Sequence, residues 1–215
     1  MKLKKIASLM LAGIMAVSML AGCKTADNGG NGGEGEGDVT PTSTTASVLR
    51  ENLNGRAKRD VTAVSDGDLD ATLQKAVDTY YTSAMYNIYR WNFDITNDIT
   101  GDVRETELGK AVIGDNKSSI TEINNGTDEK TVTAVEVYVV NSSVSDAYLL
   151  EQLGKKLSDC FDSDGDYPTM SNDQVYDYDY EIAASIVTVD GNDKNHESGL
   201  KFVALSMTKI VTEYV

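Results

Sequence analysis

Apolar residues return at three- and four-residue steps through Leu69, Leu73, Ala76, Val77, Tyr80, Tyr81, Ala84, Met85, Ile88 and Trp91. That is the period of an amphipathic helix with a wide apolar face, and it predicts one helix from about Ser65 to Trp91. Ser65 and Asp68, three residues apart, form an acidic variant of a helix-start box, since both side chains can engage free backbone amides. A shorter helix is predicted at about 144 to 160, with Ala147, Leu150, Leu153, Leu157 and Cys160 on one side. Elsewhere β-branched residues and a period of two take over. TVTAVEVYVV (131–140) reads as a strand, and NNGTDEK before it as a turn joining it to a strand at Ser118–Ile123. VYDYDYEIAASIVTV and LKFVALSMTKIVTEYV also alternate, and the polar segment 190–199 links them into a long hairpin.

Within residues 92–117, VRETELGKAVI suits a short helix and a strand equally. The remaining order is helix, hairpin, helix, hairpin. Strands paired through turns, with helices set apart, predict an α+β domain: an antiparallel sheet of about four strands in two hairpins, with the two main helices packed on one face. The two helix-hairpin units suggest a duplication, but their residues do not align.

The N-terminus follows a different pattern. Lys2, Lys4 and Lys5 precede an uncharged apolar run from Ile6 to Leu20, and two small residues, Ala21 and Gly22, close it. This is the three-part layout of an export signal, and the run falls short of the about 20 apolar residues a membrane-spanning helix needs. The segment Leu20-Ala21-Gly22-Cys23 resembles the lipobox of bacterial lipoproteins, a resemblance confined to this region. It implies removal of residues 1–22, diacylglycerol on the Cys23 sulfur and acylation of the new amine. The membrane would then be a partner through covalent lipid alone, at its extracytoplasmic face, because two or three acyl chains make a stable anchor. Residues 23–45 comprise that cysteine and a Gly- and Thr-rich stretch with almost nothing to bury, which predicts a flexible spacer of roughly 25 Å. Its glycines follow no strand and precede no helix, so they are no phosphate loop. Residues 46–215 are expected to form one domain.

Charge narrows the partners. Removing the leader removes three lysines and no acids, leaving 16 basic and 34 acidic residues and a net charge of −18. Such a chain is unsuited to nucleic acid, which is bound by exchanging counterions for Lys and Arg. With Cys23 lipidated, Cys160 is the sole thiol, so the fold must rest on a hydrophobic core without an internal disulfide.

Candidate chemistry is sparse. His196, the single histidine, stands in a polar hairpin tip, and Cys160 on an apolar helix side suits a small buried hydrophobe. No Cys/His cluster of the kind zinc uses occurs. Asp162, Asp164 and Asp166 directly follow a helix and can offer calcium three oxygen ligands at alternate positions. The match to a helix-loop-helix calcium site then fails, because Tyr167 replaces the required Gly and Asp173 the bidentate Glu. Calcium is the one cofactor this composition suggests. Paired carboxylates acting as acid and base on a glycosidic bond are the enzymatic alternative, with no pair singled out by the sequence. Tyr176, Tyr178 and Tyr180 alternate with Asp177 and Asp179, so a strand directs three rings to one face. Exposed, they would form a binding face; under a helix, they are packing, the commoner use of such rings. With the lipid anchor that the lipobox resemblance implies, the expectation is a binding module whose partner is an envelope protein first and a glycan second, with no catalytic residue assigned.

Overall fold

A computed structural model describes residues 44–95, 103–115, 119–125, 130–161, 169–171, 174–191 and 199–214. The leader, Cys23, residues 24–43, the Asp162–Asp166 run and His196 lie outside the described residues. Helices α1 (Thr44–Glu51) and α2 (Ala57–Asp60) lead into strand β1 (Val61–Ala63). Helices α3 (Gly67–Tyr80), α4 (Ser83–Tyr89), α5 (Glu107–Ile113) and α6 (Ile120–Asn125) follow. Strand β2 (Val132–Asn141), helix α7 (Asp146–Phe161) and strands β3 (Thr169–Ser171), β4 (Gln174–Val189) and β5 (Leu200–Tyr214) complete the order.

Strands β4 and β5 form a hairpin in continuous register, from Val175 opposite Tyr214 to Val189 opposite Leu200. Strand β2 lies antiparallel on the far side of β5, with Val132 opposite Lys209. Strand β1 runs parallel to β4, Val61 opposite Tyr180, and β3 folds back antiparallel on the first residues of β4. The sheet order is β1-β4-β5-β2, with β3 beside β4 off this path. The fold is therefore α+β, with helices packed on a sheet of five strands, four of them on its main path, that is mixed rather than purely antiparallel. The parallel pairing comes from β1, three residues long and far from its partner in sequence.

The hairpin expected at 118–140 does not form. Its described first arm, Ile120–Ile123, is helical within α6, and β2 takes β5 as its partner instead. A side chain from the strand enforces this, for Glu136 Oε1 accepts the Ile120 N–H at 3.1 Å and so caps the start of α6. VRETELGKAVI resolves as helix. Thr106 accepts the Gly109 N–H at 3.0 Å as N-cap of α5, and Gly114, at φ 60° and ψ −136°, ends it in a positive-φ conformation that glycine adopts without a Cβ penalty.

Helices cover both faces of the sheet, not one. On the first face Tyr180, Ile182 and Ala184 of β4, Val203, Leu205 and Met207 of β5, and Ala134, Tyr138 and Val140 of β2 pack with α1, α6 and α7. On the second, Ala183, Phe202, Ala204, Val135, Val137 and Val139 pack with α3, α4 and α5. The runs Val137-Tyr138-Val139-Val140 and Phe202-Val203-Ala204-Leu205 are buried without a break, as strands are when covered on both sides.

The long helix expected from Ser65 to Trp91 divides in two. Its N-cap is Asp66, whose carboxylate accepts the Leu69 N–H at 2.9 Å, one residue beyond Ser65. Tyr81 then turns extended (φ −61°, ψ 132°), and Thr82 restarts the chain as an N-cap for α4, accepting the Met85 N–H at 3.3 Å. The interruption rotates the apolar phase. Met85, Tyr86 and Tyr89 enter the core, while Ala84, Ile88 and Trp91, which continue the α3 period, face outward.

Candidate functional site

Tyr176 and Tyr180 are buried and Tyr178 is half-buried, so the three rings form no exposed row. Tyr180 meets Phe161 of α7 edge-on with centroids 4.9 Å apart, and the buried Lys209 sets its Nζ 4.0 Å from the Tyr178 ring centre. Edge contacts and a cation over a ring face are stabilising in this setting. Asp177 and Asp179 are exposed on the opposite face, as their alternation with the rings requires. Cys23, Asp162, Asp164 and Asp166 lie outside the described residues. Among the described residues, no three of His, Cys, Asp and Glu converge in a way that would hold a metal ion.

Cys160 is half-buried on α7 beside Glu136 and Tyr138 of β2. Its thiol donates to the Lys156 carbonyl at 3.4 Å and lies 3.8 Å from Thr121 Oγ1. Burial pushes the thiol's pKa up, which keeps it protonated, the reverse of what a nucleophilic cysteine needs. The Tyr138 hydroxyl donates to Glu136 Oε2. Burial first, then the charge and hydrogen bond of Glu136, raise the Tyr138 pKa well above the ordinary phenol range. The space these side chains enclose is about 10 Å³, room for about one water. This cluster is a packed polar network rather than a substrate pocket.

An open groove of about 330 Å³ runs between the start of α3 and the sheet, lined by Ser65, Asp66, Glu181 and Thr208 among others. It brings two carboxylates into one depression, but Asp66 is already committed to capping α3. Glu181 stands in a polar row with Thr208 and Thr133, whose hydroxyls bond each other at 2.9 Å.

The most exposed apolar group lies at the end of α4. Trp91 is 71% exposed, Ile88 59% and Phe93 47%. Backbone bonds Arg90 N–H to Tyr86 O and Asn92 N–H to Tyr89 O carry the helical turn past α4, so Ile88 and Trp91 are neighbours on one side. The turn is fixed to the sheet edge from beneath. Asn92 is buried and donates its Nδ2–H to the Val139 carbonyl at 2.5 Å, while its own carbonyl accepts the Asn141 N–H at 2.7 Å. Asn141 Nδ2 in turn donates to Arg90 O at 2.7 Å. The exposed Trp91 and Phe93 thus flank a buried, triply bonded Asn92 in the chain. The Arg90 guanidinium rests 5.4 Å from the Trp91 ring centre. Arg90 Nε and Asn92 Oδ1 are the buried side-chain polar atoms without a hydrogen-bond partner among the described residues, and both lie at the base of this turn. Native structures leave few such atoms, and they concentrate interest where they occur.

Periodicity alone assigns Trp91 to the core, because it extends the α3 phase. The signal that would correct it is Thr82, a capping residue inside an otherwise apolar-periodic stretch. No protein-family model matches the chain, and no curated protein or solved structure is significantly similar to it.

Proposed function

We propose that the protein is a membrane-anchored extracytoplasmic lipoprotein that acts by binding, with the Ile88–Trp91–Phe93 surface as its contact for an envelope protein. The observation that carries this is a rigidly held aromatic turn with its largest ring in solvent. Exposed apolar clusters of this kind mark interaction sites more often than chance surface residues do. Covering the three side chains would remove on the order of 300 Å² from water, or roughly 7–8 kcal/mol gross at about 25 cal/mol/Å², before the cost of association. A protein is favoured over a glycan because Ala84 and Ile88 continue the surface along a convex helix face. A sugar ring stacks on a flat aromatic face and gains little from branched aliphatic neighbours. A binding role over a catalytic one is supported by the raised thiol pKa of Cys160 and by the capping duty of Asp66.

Trp91 is the chain's single tryptophan, so its fluorescence reports this surface directly. A photoreactive residue placed at position 88 in cells should yield one discrete protein adduct, lost when Trp91→Ser is added. A glycan partner would instead give no protein adduct and a Trp91 emission shift on titration with envelope polysaccharide. An adduct that persists unchanged in Trp91→Ser would remove this surface from the function.

A further inference from the structure

We propose a second recognition site, independent of the Trp91 surface: the outer edge of β4 over Ala184–Val189, which receives an extended segment of another protein as an added strand. The pairing pattern defines which backbone groups face outward there. Val64 N–H donates to the Ile182 carbonyl, so even-numbered β4 residues direct their amides and carbonyls toward the β1 side. Strand β1 pairs only as far as Ile182, and β3 only at Gln174–Tyr176. Beyond them, no described residue bonds the outward N–H and C=O groups of Ile186 and Thr188. Thr188 is exposed, and Ile186, Val187 and Val189 are half-buried.

Named groups close parts of the other borders of the same sheet. Arg50 Nε donates to the outward Val61 carbonyl at 2.7 Å and its Nη2 to the Lys58 carbonyl at 2.7 Å, while the Val61 N–H is taken by Ala57 O. Asn92 closes the β2 edge at Val139 and Asn141. Among the described residues, this stretch of the β4 edge carries none of the devices that blunt a strand. Ser185-Ile186-Val187-Thr188-Val189 has no charge, Pro or Gly, and its register with β5 runs without a bulge. Main-chain hydrogen bonding to such an edge is the basis of strand addition.

Charge and size identify the occupant. The lane is bordered by exposed Asp190 at one end and by Ser65-Asp66, beside Ala183, at the other. Together with the chain's net charge of −15, this favours an incoming strand with Lys or Arg at its flanks and apolar or β-branched residues between. A second copy of this acidic chain would be repelled. Six residues of strand span only about 20 Å, too short a contact to reach the roughly 1,200 Å² typical of a stable dimer.

The test uses the full chain carrying Cys23→Ala, so that no lipid is attached, and a peptide of alternating Val and Thr with two lysines at each end. A control peptide of identical charge has its alternate amides N-methylated, which removes the ladder donors. Saturable binding of the first peptide is expected, weaker by at least about tenfold for the control and for the Ile186→Pro variant. Proline at 186 deletes an outward N–H and spares the β5 ladder. Should that variant fold poorly, Thr188→Pro deletes the other outward N–H, nearer the end of the strand, and is expected to weaken binding similarly. Trp91→Ser should bind the peptide as the parent does. No binding by the parent chain, equal binding of the two peptides, or binding undiminished in both edge variants would overturn the proposal. A concentration-dependent dimer in sedimentation, lost in Ile186→Pro, would overturn it by assigning the edge to a second copy.

Discussion

Lys201 sits on β5 opposite Val140 and Thr188, almost wholly buried, with its ammonium directed at the start of α7. Nζ donates to the Val144 carbonyl and to Asp146 Oδ1, both at 2.5 Å. Through these bonds a strand residue holds the turn that launches the helix. Lys201→Met keeps the apolar stem and loses both charge-assisted bonds, so it should lower stability by about 1–3 kcal/mol in denaturant titration. Asp146→Asn should cost under about 1 kcal/mol, because that carboxylate is mostly exposed and Val144 O still accepts from the lysine. A second test at this scale is alkaline. Cys160 and Tyr138 both have folded-state pKa values raised above their ordinary 9.0 and 10.0. Across such a window the unfolded chain has released a proton that the folded chain still holds, so stability falls as pH rises. The contribution is therefore complete below about pH 9 and is lost progressively above it. Cys160→Ala should remove the part of the decline that begins near pH 9, and Tyr138→Phe much of the part that begins near pH 10. Tyr81, also raised by burial, retains a smaller share.

At the scale of elements, what was legible is what is local and periodic. The β4–β5 hairpin follows from two long alternating runs around a polar tip, and α7 from Leu150, Leu153 and Leu157 at helical spacing. What was not legible is set by groups distant in sequence or by a single capping residue. Helix α6 starts where a carboxylate on β2 reaches back to it, and β1 is three residues whose partner lies more than a hundred positions away. Thr82 divides α3 from α4 and thereby turns Trp91 outward, so the proposed contact surface was hidden by its own periodicity. The Tyr176–Tyr180 face depends on what lies over the sheet, which alternation within one strand cannot report. The capping assignment at α3 gives a direct test of how local signals compete. Asp66→Ala should cost about 1 kcal/mol in thermal or denaturant melts, whereas Ser65→Ala should stay within about 0.5 kcal/mol. Equal effects would mean that Ser65 shares the cap.

For the molecule as a whole, a sheet covered on both faces requires close approach of its outer helices. Gly154 on α7 meets Asn52, just beyond α1, so tightly that an added Cβ would stand 2.6 Å from Asn52 Cβ and 2.7 Å from its carbonyl oxygen. The seam is also bonded, since Ser158 Oγ accepts the Asn54 N–H at 2.9 Å and donates to the Gly154 carbonyl at 2.7 Å. Gly154→Ala should therefore destabilise by about 1–3 kcal/mol, even though alanine favours helix, because overpacking here pushes backbone against backbone.

The anchoring proposal makes its own prediction on the same scale. No helix among the described residues is long and apolar enough to cross a membrane, and the chain's net charge of −15 opposes adsorption to an anionic bilayer. Retention should then depend on the lipid attached at Cys23, for which two or three acyl chains suffice. Cell fractionation of Cys23→Ala is expected to move the protein from the detergent-extracted membrane fraction to the soluble one, with the Lys201-dependent melt of the domain unaltered. A Cys23→Ala protein that remains wholly with the membrane would show that attachment resides elsewhere: release by Trp91→Ser in the same background would assign it to an envelope partner held at that surface, and continued retention to the uncleaved apolar run Ile6–Leu20.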